Sequence, residues 1–294
     1  MKDYLIRGIS ADGTIRYMAV DAKVSVEEAM QKHGCSATSG ALLGRLISAA
    51  FLMSAGLKNE QDVLTIRVDG KQQNAIATVK ANGDVKGYVQ NPLLDLPKKN
   101  GKLDVGGLVY PGTLTVIKDI GMKMPVNGSI ELVNGEIAQD LSAYFYHSEQ
   151  IPSGLALGVL IDVDYSVRSA GGVLVQLLPP VTEETILQVE QAFAKFPYIS
   201  DLLDMGLSIE EVVAKLLASW EIQQLEKREV RFFCDCSQEK MEKGLLLLGK
   251  AELKKILAMP DEQVETVCHF CNSKYYFSKE HVEKILQKID SKKS

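Results

Sequence analysis

Cys234-Asp-Cys236 and, 31 residues further on, Cys268-His-Phe-Cys271 decide how the carboxyl-terminal part of this chain folds. Four of the five cysteines fall in these two motifs, and such clustering in a reducing compartment points to metal or redox chemistry before structural disulfides. Zinc binds four thiolates tetrahedrally, and a C-x-x-C turn directs both of its sulfurs at one ion. The spacing therefore predicts one zinc ion per chain, held by Cys234, Cys236, Cys268 and Cys271.

Other reactive residues give weaker signals. His269 alternates away from the two sulfurs that flank it, so we expect it not to be a ligand. Cys35 follows Gly34 at a helix end, and the sequence places no orienting group or oxyanion site beside it, so it receives no role. The chain contains neither G-x-x-x-x-G-K-[ST] nor G-x-G-x-x-G, so no nucleotide-binding loop is indicated. We predict no catalytic residue and no enzymatic activity.

The length of 294 residues indicates about two domains at roughly 150 residues each. In residues 1–180, strand-like stretches follow one another with turn signals such as Asn82-Gly83 between them, and this clustering predicts an α+β fold with an amino-terminal core domain. Ser25 and Glu28 form a capping box that predicts the start of a short helix. Pro179-Pro180 ends the core domain, because consecutive prolines interrupt strands and helices.

Residues 181–229 have the pattern of a helical linker. A second capping box, Ser208 with Glu211, precedes apolar residues at i, i+3 and i+4, which form one stripe along a helix. An apolar stripe of this kind is an interaction surface when it is exposed. We name the following six residues the linker stripe: Ile209, Val212, Val213, Leu216, Leu217 and Trp220.

Residues 230–294 form the third predicted part, a small zinc-binding module with a formal charge of +2. Zinc modules with exposed aromatic residues can bind nucleic acid, so a nucleic-acid-binding accessory protein is the second hypothesis. The four thiolates with Zn²⁺ add about −2 to the module, and the whole chain has a formal charge of −5, which makes nucleic acid an unfavourable partner. A thiol–disulfide oxidoreductase is a third hypothesis, weaker because the C-x-x-C motif precedes a strand-like run instead of a helix.

Membrane and secretion signals are weak in this sequence. The longest strongly apolar stretch, Leu46–Leu57, has 12 residues, whereas a bilayer span needs about 20. The first residues, MKDYLIRGISADG, lack a continuous apolar region and a cleavage site. We expect a cytoplasmic protein with no membrane segment.

The two cysteine motifs occur together with three further stretches: Gly87-Tyr-Val-Gln-Asn-Pro92, Tyr146-His-Ser-Glu-Gln-Ile-Pro152 and Ala170-Gly-Gly-Val-Leu-Val-Gln-Leu-Leu-Pro179. In this combination the chain resembles the heat-shock protein 33 family of redox-regulated holdase chaperones over nearly its whole length. The resemblance implies a cytoplasmic, ATP-independent chaperone that is inactive when reduced and zinc-bound and binds unfolding or aggregating client proteins after oxidation. It also implies disulfides Cys234–Cys236 and Cys268–Cys271 and a homodimer of the oxidised form. The linker stripe is then the expected client surface.

Overall fold

The computed structural model describes residues 2–260 and 262–291, so Asp261 and residues 292–294 of the predicted module lie outside the described residues. The chain divides into two compact units, of which one ends at Phe233 and the other begins at Cys234. Both units combine helices with antiparallel sheet, which confirms the predicted α+β class.

The first unit is built on two sheets. Its strands are β1 (Tyr4–Ser10), β2 (Ile15–Asp21), β3 (Val63–Gly70), β4 (Asn74–Lys80), β5 (Asp84–Val89), β6 (Gly112–Asp119), β7 (Val126–Glu131), β8 (Ser153–Ile161), β9 (Val167–Leu177), β10 (Ile222–Glu229) and β11 (Arg231–Phe232). One sheet is antiparallel with the order β10-β1-β2-β9-β8. The other has the order β11-β5-β4-β3-β6-β7, and its β11–β5 pair is parallel.

A buried helix lies between the two sheets. The helices of this unit are α1 (Lys23–His33), α2 (Ala37–Ser54), α3 (Val105–Val109), α4 (Ala138–Tyr144) with a π-helical turn at Phe145–Glu149, α5 (Glu183–Lys195), α6 (Ile199–Asp204) and α7 (Ile209–Leu216). Helix α2 contacts β2, β8 and β9 of one sheet and β3, β4 and β5 of the other. Its sequence is apolar around its circumference, as expected for a helix enclosed by core. Gly44 permits the close approach, because a Cβ there would lie 2.7 Å from Val26 and 2.9 Å from Val159.

Among the described residues, α2 is the one helix that by length and composition alone could cross a membrane. The helix begins at Ala37, well before the apolar stretch Leu46–Leu57 that the sequence analysis marked, and this extra length lets it pass the test. Its mean hydropathy is 1.3, but 89% of it is buried inside the protein. A core helix between two sheets passes the same test, since its apolar surface faces other side chains.

The linker stripe packs on the face of the five-stranded sheet that points away from α2. Consecutive residues of β9 show the two faces: a Cβ on Gly171 would meet Leu203 of α6, and one on Gly172 would meet Leu52 of α2. Five of the six stripe residues are buried in one cluster with alternate residues of β1, β2 and β9, and Trp220 packs against it half-buried. In the first unit the stripe is therefore covered by the sheet.

One capping box is confirmed and the other is wrong. Ser208 and Glu211 cap α7 reciprocally, with Ser208 N–H donating to Glu211 at 2.7 Å and Glu211 N–H donating to Ser208 Oγ at 3.3 Å. Ser25, in contrast, lies inside α1, which begins at Lys23. The buried carboxylate of Asp3 accepts the N–H groups of Val24 at 2.9 Å and Ser25 at 2.6 Å, so a residue distant in sequence performs the capping.

The helical linker predicted to run to Glu229 ends earlier than expected. Residues Ile222–Glu229 form β10, which extends the five-stranded sheet by pairing with β1. The segment is rich in charged residues, and it becomes a strand because the edge of β1 supplies main-chain partners. The helices and β10 belong to the same compact unit as the preceding strands, and the separate role of residues 181–229 stays a prediction.

The second unit is a β-hairpin with two helices. Its elements are α8 (Gln238–Leu257), which Gly249 interrupts with φ 80°, β12 (Gln263–Val267), β13 (Lys274–Ser278) and α9 (Lys279–Ser291). The described apolar core consists of Leu245, Leu253, Phe277, Val282 and Ile285. Such a core is small for about sixty residues, and domains of this size commonly depend on metals or disulfides.

The packing of α7 predicts a difference between two neighbouring substitutions. Val213→Asp places a carboxylate in the apolar cluster, whereas Ala214→Asp places the same group on the exposed side of the helix. An unpaired buried charge costs about 3–5 kcal/mol, so we expect Val213→Asp to lower the free energy of unfolding by that amount and Ala214→Asp by less than about 1 kcal/mol. Denaturant unfolding followed by Trp220 emission measures both, and equal effects would contradict the observed packing.

Candidate metal centre

The β12–β13 hairpin positions the second cysteine motif. Cys268 follows β12 directly, and its N–H donates to Ser273 O at 2.9 Å. Asn272 N–H donates to Cys268 O at 2.8 Å, and Asn272 adopts φ 59°, a left-handed conformation that asparagine tolerates. The resulting tight turn holds the Cys268 and Cys271 sulfurs close together.

The first motif lies in the segment between β11 and α8. Cys236 directly precedes Ser237, the N-cap of α8, whose Oγ accepts the Lys240 N–H at 3.3 Å. The start of the helix therefore fixes one end of this motif.

The four sulfurs converge. All four lie within 4.8 Å of one another, with Cys234 Sγ 3.7 Å from Cys268 Sγ and Cys236 Sγ 3.3 Å from Cys271 Sγ. These separations are too long for disulfide bonds, whose sulfurs lie about 2.05 Å apart. They are close to the ~3.8 Å edge of a tetrahedron with metal–sulfur bonds of ~2.3 Å. The geometry fits one ion at the centre of the cluster.

The electrostatics of the cluster favour a cation. Burial raises the pKa of the Cys234 and Cys268 thiols. For Cys271, burial also opposes ionisation, but hydrogen bonds with Ser273 outweigh it and lower the pKa to about 7. Four thiolates this close repel one another, so full ionisation needs a cation among them. A set made only of sulfur selects soft ions such as Zn²⁺, Cu(I) or the iron of iron–sulfur clusters over Mg²⁺ or Ca²⁺.

Two hydroxyl groups that the sequence analysis missed contact the cluster. Tyr275 Oη donates a hydrogen bond to Cys236 Sγ at 3.1 Å, and Ser273 Oγ lies 3.2 Å from Cys271 Sγ. The bond to Cys236 raises the pKa of Tyr275 to about 12, so its hydroxyl stays protonated. The alternation of β13, with Tyr275 and Phe277 turned inward, is the sequence signal that could have identified this tyrosine.

The remaining candidate residues are not part of the cluster. His269 is not among the four residues whose ligand atoms converge, and its exclusion as a ligand stays a prediction. Cys35 is buried in the first unit, and burial raises the pKa of its thiol to about 12. The linker stripe also belongs to the first unit, so the predicted metal ligands and the predicted client surface lie in different units.

Comparison with known proteins agrees with this arrangement. The family model described as Hsp33 protein matches residues 3–278. The 33 kDa chaperonin of Agathobacter rectalis is 40% identical over 288 residues, covering 97% of this chain and 100% of the relative. That of Desulforamulus reducens is 42% identical over 295 residues, covering 99% and 100%.

A solved structure extends the likeness to three dimensions. The crystal structure of the 33 kDa chaperonin (heat shock protein 33 homolog) from Thermotoga maritima has a TM-score of 0.91 and 34% identity to this chain, with coverage of 99% of this chain and 100% of that one. The resemblance stated from the cysteine motifs is thereby confirmed, and the chain belongs to the Hsp33 family.

Proposed function

We propose that this chain is a redox-regulated, ATP-independent holdase, which binds unfolding proteins after oxidation of its four-cysteine site. The observation that carries the proposal is the convergence of four sulfurs within 4.8 Å in a chain of the Hsp33 family. Relatives of nearly the same length bear the name 33 kDa chaperonin. The family assignment favours this function over the nucleic-acid-binding and oxidoreductase alternatives.

In the reduced state we assign one zinc ion to Cys234, Cys236, Cys268 and Cys271. Bound zinc supplies a tetrahedral cross-link between the two motifs, and its apparent binding free energy of about 10–16 kcal/mol is also folding free energy. A small core by itself supplies only about 3–5 kcal/mol. The apolar core of five described side chains therefore does not suffice without the cross-link.

Which cysteines pair on oxidation decides whether the second unit survives it. Two sulfur pairs, Cys234–Cys268 at 3.7 Å and Cys236–Cys271 at 3.3 Å, join the two motifs, whereas the pairs implied by the family resemblance lie within each motif. A disulfide between motifs would close a long loop and preserve the tie across the unit. Pairing within the motifs, Cys234–Cys236 and Cys268–Cys271, closes very short loops and leaves the motifs unconnected. We propose local pairing, the pattern that the family resemblance implies, because it releases the metal and leaves no covalent tie between the motifs, so that the second unit unfolds.

The client surface of the proposal is the linker stripe. In the first unit the stripe lies against the five-stranded sheet, so it must separate from the sheet before it can bind another protein. Its separation would expose apolar surface on both the helix and the sheet. Unfolded proteins also expose apolar side chains, which could pack against this surface. We further propose cytoplasmic localisation, where thiols are kept reduced until stress, and a homodimer as the oxidised form.

Metal content tests the ligand assignment. Cys268→Ser removes one thiolate, and serine stays protonated near neutral pH, so the purified reduced protein should bind zinc at least about tenfold more weakly in competition with a chelator. Cys35→Ser is the matched control, because Cys35 is buried in the first unit, and it should keep one zinc per chain. Full zinc occupancy in Cys268→Ser would contradict the assignment.

A peroxide time course tests the redox mechanism. Zinc release, loss of amide-exchange protection in the second unit and suppression of client aggregation should rise together, and reductant should reverse them. Peptide mapping should find disulfides Cys234–Cys236 and Cys268–Cys271. Aggregation suppression with zinc retained, or disulfides that join the two motifs, would refute the mechanism.

The position of Trp220 tests whether the stripe moves. This only tryptophan of the chain is half-buried against the apolar cluster. On oxidation its emission should shift to the red and its quenching by acrylamide should increase, because water gains access to the ring. Unchanged emission and quenching in fully oxidised, active protein would show that clients bind elsewhere.

A further inference from the structure

The two sulfurs of the Cys-Asp-Cys motif differ in one contact. Both cysteines are half-buried, so exposure does not distinguish them. Cys236 Sγ accepts a hydrogen bond from Tyr275 Oη at 3.1 Å. Among the described residues, the partners of Cys234 are other cysteines of the cluster, with Cys268 Sγ at 3.7 Å. A hydroxyl donor therefore acts on one member of the pair.

Tyr275 is held in place from its other side. Its ring packs against the apolar core of the second unit, next to Phe277. Its strand β13 pairs with β12, where Tyr275 lies opposite Thr266. The packing of the ring and the pairing of the strand therefore both hold the Tyr275 hydroxyl next to the Cys236 sulfur.

The next residue provides a natural comparison. Tyr276 has the same side chain but lies on the opposite face of β13, where it is 50% exposed and hydrogen-bonds to Glu265. Loss of the Tyr275 hydroxyl alters the cysteine cluster, whereas loss of the Tyr276 hydroxyl alters only a surface contact. The two tyrosines therefore separate an effect on the sulfur from a general effect of removing a phenol oxygen.

We propose that Tyr275 is a positioning residue whose hydroxyl makes Cys236 the less nucleophilic sulfur of its motif, so that Cys234 reacts first with peroxide and Cys236 closes the disulfide. A hydrogen bond donated to a thiolate stabilises its charge and occupies a lone pair that attack requires. Cys234 has no such hydroxyl among its described partners, which are main-chain and side-chain groups of other cysteines of the cluster. The proposal rests on the redox function proposed above and specifies which atom reacts.

The chemistry balances with a peroxide as the oxidant. The Cys234 thiolate attacks one oxygen of hydrogen peroxide, forming an S–O bond while the O–O bond breaks and hydroxide leaves. The Cys236 thiolate then attacks the Cys234 sulfur, forming the S–S bond while the S–O bond breaks and a second hydroxide leaves. The two thiolates lose two electrons in total, and the peroxide gains them. Closure removes the acceptor of the Tyr275 hydroxyl, so oxidation also releases a side chain that packs on the core.

The test compares the full-length reduced, zinc-loaded chain with Tyr275→Phe and Tyr276→Phe. A short pulse of iodoacetamide, quantified at each cysteine by peptide mass spectrometry, measures the relative nucleophilicity of the sulfurs. A short peroxide pulse with dimedone present then traps whichever sulfur of the Cys-Asp-Cys motif is oxidised first. Phenylalanine keeps the ring in the core, and far-UV circular dichroism checks that each variant is folded.

In the wild type and in Tyr276→Phe, we expect Cys234 to be alkylated several-fold faster than Cys236 and to carry the dimedone adduct. In Tyr275→Phe, the Cys236 rate should rise several-fold towards that of Cys234, with the Cys268 rate unchanged. The zinc affinity of Tyr275→Phe should fall about tenfold in chelator competition, as for loss of other contacts that orient metal ligands.

Three outcomes would overturn the proposal: equal reactivity of Cys234 and Cys236 in the wild type, the same change in both tyrosine variants, or a uniform rise at all four cysteines in Tyr275→Phe. The last would show that the tyrosine only holds the unit together. Failure of the chaperone function is a separate result, because a chain that reacts first at Cys234 but never suppresses aggregation would contradict that function and leave the role of Tyr275 intact.

Discussion

Four sulfurs within 4.8 Å of one another constrain the whole second unit. Two unit charges 4 Å apart repel by about 1 kcal/mol even in bulk water and by more inside a protein, so four thiolates cannot share this space without protons or a cation. The same four residues connect the β12–β13 hairpin to the segment that starts α8. The described core of the unit, five apolar side chains, lies on α8, β13 and α9. Folding of the second unit therefore depends on the chemical state of its sulfurs.

The first unit is built differently. Its central helix α2 is covered by strands of two sheets, and the linker stripe covers the outer face of one of them. None of these contacts involves the cysteine cluster. The chain passes from this unit to Cys234 through β11, a two-residue strand at the edge of the six-stranded sheet, and Phe233 N–H donates to Val85 O at 2.7 Å. The last main-chain contacts of the first unit before Cys234 are therefore made by β11 and Phe233 at the edge of that sheet.

The sequence was informative where the chemistry is local and weak where it depends on distant residues. The cysteine spacing identified four residues that converge, and the reciprocal bonds of Ser208 with Glu211 were visible in a four-residue pattern. The cap of α1 was not, because Asp3 reaches the Val24 and Ser25 N–H groups from another element. Gly171 and Gly172 lie inside β9, where the lack of a side chain lets α6 approach one face of the sheet and α2 the other. The hydrogen bond of Tyr275 with Cys236 could likewise not be predicted, because it depends on how the hairpin and the first motif lie relative to each other within the second unit.

A switch that can be reset requires the oxidant to distinguish the two units. Cys35 lies in the first unit, and burial raises the pKa of its thiol to about 12. Hydrogen bonds lower the pKa of Cys271 to about 7 against the opposing effect of burial. Since the thiolate is the reactive form, a larger fraction is available to an oxidant near neutral pH at Cys271 than at Cys35. In the function proposed above, oxidation therefore falls on the unit whose small core depends on its sulfurs. The first unit then stays folded and presents its apolar surface, and reduction of the disulfides restores the ligands around which the second unit refolds.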